Sequence, residues 1–448
     1  MAVSSFSSHP KRNRPAFIPP ALESLADTGL PFLWLLDLAL RIFYFRGYLT
    51  GNQLAEAMRL PFVGVVEEIL EHLKKEKLVE VKTARHRIGV SGFVYALTSA
   101  GIQRARDALE RTQYAGPAPV PLAVYNRAMR YQGRHRTVVT EQDMRKALRD
   151  LVLKEEIFHR IGPAVNSGQS IFLYGPPGDG KTTISQAIGN YLLQDTIYIP
   201  FALYVNGQVV VLFDPVHHKP VREGGGGRKK KGNNRGQTGA LSTKRDDRWV
   251  RIHRPFIMVG GELTLHDLDL IFDPVNKYYQ APVQVKANGG MLLVDDFGRQ
   301  QVPPKDLLNR WIVPLESRVD HLTLHTGHKI VVPFDVLVVF STNLPPKDLV
   351  DEAFLRRLRH KVHIGDPGVD EFREIFRREA KDKGVTFSER GLAYLLQEWY
   401  VKRNRPMRAT HPRDLCNHIV DIARYRGVEP ALTPELIDAA ARVYFVDV

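Results

Sequence analysis

The sequence predicts an α/β protein: a parallel sheet with a nucleotide-binding loop, a small α+β domain before it and a helical domain after it. Three observations lead there. Strand-like and helix-like segments alternate from Leu151 to Ile364, as they do in parallel sheets joined by crossover helices. A glycine-rich stretch, "GPPGDGKTT" (Gly175–Thr183), stands between the strand-like "SIFLY" and the helix-like "TTISQAIGNYLL". Apolar "GMLLVDD" runs into two carboxylates, Asp295 and Asp296, as a buried strand delivers side chains to its end.

The remaining segments follow in order. Residues 1–27 are rich in Ser, Pro and Arg and are expected to be a mobile tail. "LPFLWLLDLALRIFYF" (Leu30–Phe45) carries Asp37 and Arg41 and falls short of the roughly 20 apolar residues a membrane span needs. It reads as a core helix, and no membrane insertion is expected. With "LTGNQLAEAMRLPFVGVVEEILEHLKKEKLVEV" and the strand-like "FVYALT", residues 28–114 give three helices and a two-stranded wing, similar to winged helix-turn-helix domains. "AGPAPVPL" reads as a stiff linker, and residues 115–150 as linker and helical connector, with Thr140 and Asp143 as a helix cap. Residues 151–365 hold the α/β unit, with five candidate strands: "SIFLYG", "TIYIPFALYV", "GMLLVDD", "VLVVFSTN" and "KVHIG". The pattern breaks between Asn206 and Gly261, and a disordered basic insert is expected at about 219–248. Residues 366–448 read as all helical.

Composition narrows the function classes. The 448 residues carry a net charge of +14, of which Lys219–Arg254 alone contributes +9. The excess is local rather than spread over a face. A single cysteine, Cys416, leaves no internal disulfide framework and fits a reducing, cytoplasmic setting. His217, His218, His321, His325 and His328 lack cysteine partners or a distinctive spacing, so a histidine metal centre is not expected.

The glycine-rich stretch matches G-x-x-x-x-G-K-[ST] in the strand-loop-helix setting that the motif requires. Gly175, Gly178 and Gly180 let backbone N–H groups wrap phosphate, with Pro176, Pro177, Asp179 and Thr183 completing the ATP-binding loop. Lys181 is expected on the β- and γ-phosphates and Thr182 on Mg2+. Asp295 is the expected second metal ligand, and Asp296 the candidate base, one methylene shorter than a glutamate. Glu262 and Glu316 remain alternative carboxylates. "VLVVFSTNLPP" ends on Asn343, within expected reach of the γ-phosphate or its attacking water; "DEAFLRRLRHKVHI" puts Arg356 and Arg357 before the last strand; "THPRDL" starts a helix with Arg413.

In this order and spacing, "GPPGDGKT", "LLVDD", "FSTN", "DEAFLRRL" and "HPRDL" resemble the AAA+ ATPases, in which they are Walker A, Walker B, sensor 1, arginine finger and sensor 2. The resemblance covers about Leu151–Val448. It implies a P-loop NTPase core with a five-stranded parallel sheet, a helical lid from about Asp366, and assembly into a ring, usually a hexamer. It also implies that Arg356 or Arg357 acts on a neighbour's nucleotide and that Arg413 reports nucleotide state. "LTLHTGHKIVVPFD" resembles a β-hairpin insertion of one branch that includes the MoxR-like chaperones. The whole chain is similar to bacterial MoxR-like ATPases described as having chaperone activity and associated with Flp pilus assembly. A ring-forming remodeller of protein clients is the first expectation. A DNA-acting ATPase using the winged-helix-like domain and the basic loop is the alternative, and an ATP-binding switch with little turnover is a third.

Overall fold

The computed structural model describes residues 17–84, 92–133, 138–192, 194–221, 245–349, 356 and 358–445. Part of the expected mobile tail is built into the molecule. The Phe17 ring packs on Tyr131, Tyr198 and Trp249, and the Asp27 carboxylate accepts from the Glu23 and Ser24 amides. Residues 1–16 lie outside the described residues.

The head runs α1 (Phe32–Arg46), β1 (Leu49–Thr50), α2 (Gly51–Met58), α3 (Glu67–Lys75), β2 (Val79–Ala84), β3 (Phe93–Leu97) and α4 (Ser99–Arg111). Thr50 and Gln53 close a reciprocal capping box on α2, which fixes where that helix starts. Strands β1, β3 and β2 form an antiparallel sheet beside these helices; residues 85–91 lie outside the described residues. The first turns of α3 carry Glu67, Glu68 and Glu71.

The expected linker is part of the fold. Val120–Pro121 (β4) joins a sheet, α5 (Leu122–Gln132) buries Tyr125 completely, and α6 (Glu141–Ala147) starts on the Thr140–Asp143 capping box. Then come α7 (Glu155–Ser167), β5 (Ile171–Tyr174) and α8 (Lys181–Leu192).

"TIYIPFALYV" was expected to be one core strand. It is two: β6 (Thr196–Pro200) and β7 (Ala202–Val205), and neither enters the parallel sheet. Asn206 and Gly207, both with positive φ (47° and 84°), turn the chain into β8 (Gln208–Val211), which pairs back on β7. An Asn-Gly pair is the usual signal for such a hairpin, so the pattern does not break at Asn206 as expected. β9 (Trp249–His253) pairs antiparallel with β6. The basic insert was expected to be disordered over about 219–248. Its flanks are instead placed: Val221 N–H donates to Arg251 O, and Asp246 and Arg248 form a buried ion pair. Residues 222–244 lie outside the described residues.

β10 (Phe256–Val259) is the strand that sequence reading missed; β11 (Ile271–Asp273), β12 (Tyr278–Gln280) and β13 (Met291–Val294) follow, then α9 (Pro304–Ser317). The hairpin β14 (Val319–Thr323) and β15 (Lys329–Pro333) leads to β16 (Leu337–Thr342) and β17 (His360–His363). The central sheet, β10-β13-β16-β5-β17, is parallel throughout, and every residue of β13 and β16 is buried. With the phosphate loop leaving β5 between β16 and β17, this is a P-loop core with the five-stranded parallel sheet that the resemblance to AAA+ ATPases implies. A second sheet, β11-β12-β8-β7-β4, takes strands from both sides of β10 and from the connector. The β14–β15 hairpin packs Leu322, Leu324, Ile330 and Val332 against it, and His325 stacks on Phe272 at 4.2 Å.

The C-terminal helices are α10 (Val369–Lys383), α11 (Glu389–Leu395), α12 (His411–Arg426) and α13 (Pro434–Tyr444). They close around Phe372, Phe376, Leu415, Cys416 and Ile419. Among the described residues no helix is long and apolar enough to cross a membrane.

Candidate nucleotide site

The loop from Gly175 to Thr183 joins the end of β5 to the first turn of α8. Gly175 and Gly178 have φ of 148° and 85°, and a Cβ at Gly175 would stand 1.9 Å from Ile364 O. Only glycine fits there. The Lys181 ammonium donates to Gly175 O (2.9 Å) and Pro176 O (2.6 Å), folded onto its own loop. Burial pushes this ammonium below its ordinary pKa, against the pull of Asp179, Asp295 and Asp296.

Thr182 and Asp295 are 113 positions apart in sequence, yet the Thr182 hydroxyl lies 2.9 Å from Asp295 Oδ2 and 3.1 Å from Oδ1. The sheet causes this. β13 and β5 both flank β16, so the residue after Val294 faces the first turn of the helix after β5. A hydroxyl and a carboxylate at a phosphate loop are hard oxygen donors of the kind Mg2+ takes. Asp295 N–H continues the ladder to Val259 O.

Asp296 adopts a left-handed backbone (φ 48°). Asp tolerates that region several-fold better than most side chains, which accounts for Asp where a Glu was the usual expectation. Its Oδ1 accepts from Asn343 Nδ2 at 3.3 Å, one strand over. The turn is held from below and behind. Phe297 is fully buried, and its N–H donates to Ser341 O; the Thr342 hydroxyl donates to Phe297 O. Gln300 accepts from Gly298 N–H and donates to Asp295 O at 3.1 Å. Nothing in the sequence pattern marks Gln300. Glu262 is spent on its own turn, accepting from Gly260 N–H, and Glu316 lies in the last turn of α9.

The lid lies directly on the loop. Thr410 N–H donates to Gly178 O at 3.0 Å, and a Cβ at Gly178 would meet Thr410 Oγ1 at 2.6 Å. Arg408 Nη1 stands 3.5 Å from Asp179 Oδ2 and also binds Asp366. Asp179 has no side-chain exposure, and burial pushes its carboxyl up to about 6, with Asp366 adding and Arg408 opposing. Arg413 is the residue expected to report nucleotide state. Its side chain turns to Asp414 at 3.0 Å, half exposed, while Arg408 is the one at the phosphate loop. A motif scan misses Arg408 because it stands in the irregular segment before α12. Arg356 is exposed in the turn before β17, and Arg357 lies outside the described residues. Pro177 and Thr183 are on the exposed rim of the loop. Among the described residues no group of three or more His, Cys, Asp or Glu side chains is placed to hold a metal; His218 is buried against Lys286 O.

A family model described as a domain of unknown function (DUF8689) matches residues 368–443, the span of the four C-terminal helices. No curated protein matches the chain. Among solved structures, NtrX from Brucella abortus in complex with ADP is 14% identical over 75% of this chain and 65% of that one, with a TM-score of 0.38. A second structure of the same protein gives 14%, 75%, 61% and 0.36. The chain spans under two thirds of both NtrX chains. Its fold rests on its own sheet order and phosphate loop.

Proposed function

We propose that this chain is a magnesium-dependent ATPase that works in the cytoplasm as a ring, of six copies by its resemblance, to remodel protein clients. One observation carries the nucleotide reading: the Thr182 hydroxyl meets Asp295 at the phosphate loop, with Asp296 and Asn343 bonded to each other beside it. The backbone N–H groups of Gly175–Thr183 and the ammonium of Lys181 bind the polyphosphate. Thr182 and Asp295 would hold Mg2+, which would supply charge neutralisation to the phosphates. Asp296 orients the attacking water and takes its proton; Asn343 fixes the Asp296 carboxylate and polarises the water. Arg356 or Arg357 of a neighbouring copy stabilises charge on the transferred phosphoryl group. The test is Asp296→Asn. ATP affinity stays within about threefold and turnover falls about 100-fold or more, as for loss of a general base. Unchanged turnover would refute the role. Single-turnover hydrolysis at ring-forming concentration separates slow hydrolysis from a binding switch.

The head's helix-turn-helix and wing favour a DNA-acting ATPase as the second reading. The acidic start of α3, with Glu67, Glu68 and Glu71, repels phosphate where a groove-reading helix attracts it. Gel-shift titration on duplex and single-stranded DNA across salt decides, and the expected outcome is no salt-sensitive binding near physiological ionic strength.

A further inference from the structure

Asp179 is out of keeping with its place. The loop around it collects N–H groups for an anionic ligand, and an ionised carboxylate there opposes that ligand's charge. Its side chain has no exposed surface, so water does little to screen it, and its Oδ1 has no hydrogen-bond partner among the described residues. Its compensating charge comes first from Arg408, outside the loop, and second from Lys181, which is the group expected to turn to the phosphates. Arg408 reaches it from the lid, and the same guanidinium holds Asp366, between the last core strand and the first lid helix. The Lys154 ammonium donates to Asp366 O at 3.0 Å and fixes that junction to the core. Lifting the lid would take Arg408 away with it and leave Asp179 behind in the loop.

We propose that Asp179 makes nucleotide affinity conditional on the position of the lid: its carboxylate is tolerated beside bound phosphate only while Arg408 is seated on it. Asp179 is then a positioning residue that acts through Arg408. The inference rests on the nucleotide-binding reading above and adds a release device to it. A client or neighbouring copy that lifts the lid exposes the phosphates to an unpaired buried carboxylate and expels the nucleotide. By linkage, bound nucleotide holds the lid down with the same free energy.

A double-mutant cycle tests this, with ADP affinity measured calorimetrically for the full chain and for Asp179→Asn, Arg408→Ala and both together. Arg408→Ala is expected to weaken ADP binding about tenfold in the native background and less than about threefold beside Asp179→Asn, a coupling in the usual range for contacting residues. An equal loss in both backgrounds overturns the proposal, because Arg408 would then act on phosphate without Asp179. Melting curves of each variant confirm that all four chains fold. Amide exchange over 408–411, read without nucleotide, checks the clamp itself. It is expected to speed up in Asp179→Asn and stay unchanged in Arg413→Ala; unchanged exchange in Asp179→Asn also overturns the proposal. If ADP fails to bind the native chain, the function proposed above falls, and the exchange measurement still decides the clamp.

Discussion

On one side of the phosphate loop stand parallel strands whose residues are buried along their whole length; on the other lies a lid segment held by two ion pairs of Arg408 and one backbone bond to Gly178. The sheet side places Thr182, Asp295, Asp296 and Asn343 through packing and ladder bonds, which act at short range and depend little on salt or pH. The lid side depends on charge, which weakens with screening and changes with protonation. A nucleotide bound between them would meet a fixed wall and a conditional one.

The sharpest way to break this contrast is to damage the fixed wall. Phe297→Ala removes a fully buried ring from beneath the Asp295–Asp296 turn and is expected to destabilise the chain by about 3–5 kcal/mol, measured by denaturant titration. A loss no larger than a surface substitution gives would mean that the turn is held by its hydrogen bonds alone. Lys181→Ala comes next. Removing the ammonium that would meet the β- and γ-phosphates should lower ATP affinity about 30-fold by calorimetry, with little change in melting temperature.

The lid side is expected to respond to pH. Burial, with Arg408 nearby, holds His411 down at about 4, below its ordinary value. The unfolded chain therefore takes up this proton at higher pH than the folded lid, so the stability His411 carries is complete above about 6.5 and is lost as pH falls toward 4. His218 in the core, held at about 4 by burial, acts in the same window. A melting series from pH 7.5 to 4.5 should fall steadily, and His411→Gln should make the slope shallower without abolishing it. The smallest effect belongs to Arg413→Ala. Its exposed pair with Asp414 is worth little, and ADP affinity of the single chain should stay within about twofold.

What the sequence revealed follows the range of the interactions involved. The phosphate loop is local: its glycines, Lys181 and Thr182 must be neighbours for the loop to work. Three of the four strands read correctly are continuous apolar runs, the fourth (β17) alternates polar and apolar residues, and Asp295 is recognised because it ends one of the runs. β10 escaped because "RPFIMVG" is four strand residues between an Arg-Pro and a glycine, inside a segment dominated by basic and glycine composition. The second sheet escaped because its strands come from Val120, Ala202, Gln208, Ile271 and Tyr278, and no local pattern records which of them pair. Asp179 stands at a position the motif leaves open, so its meaning depends on Arg408, 229 residues away in sequence. Asp296 lies between these cases. Its identity was readable, whereas the left-handed backbone that favours it was not.

The head and the second sheet share one hydrophobic core: Ala202 and Val209 are buried with Leu35, Leu54 and Ile69, and Trp34 meets Tyr204 edge-on at 5.5 Å. The head is thereby fixed to the second sheet through a continuous apolar core. Since α1 is 15 residues, roughly 22 Å, a tilt of about 10° at its rooted end would carry the far end through roughly 4 Å. Any displacement of the second sheet would carry the head with it.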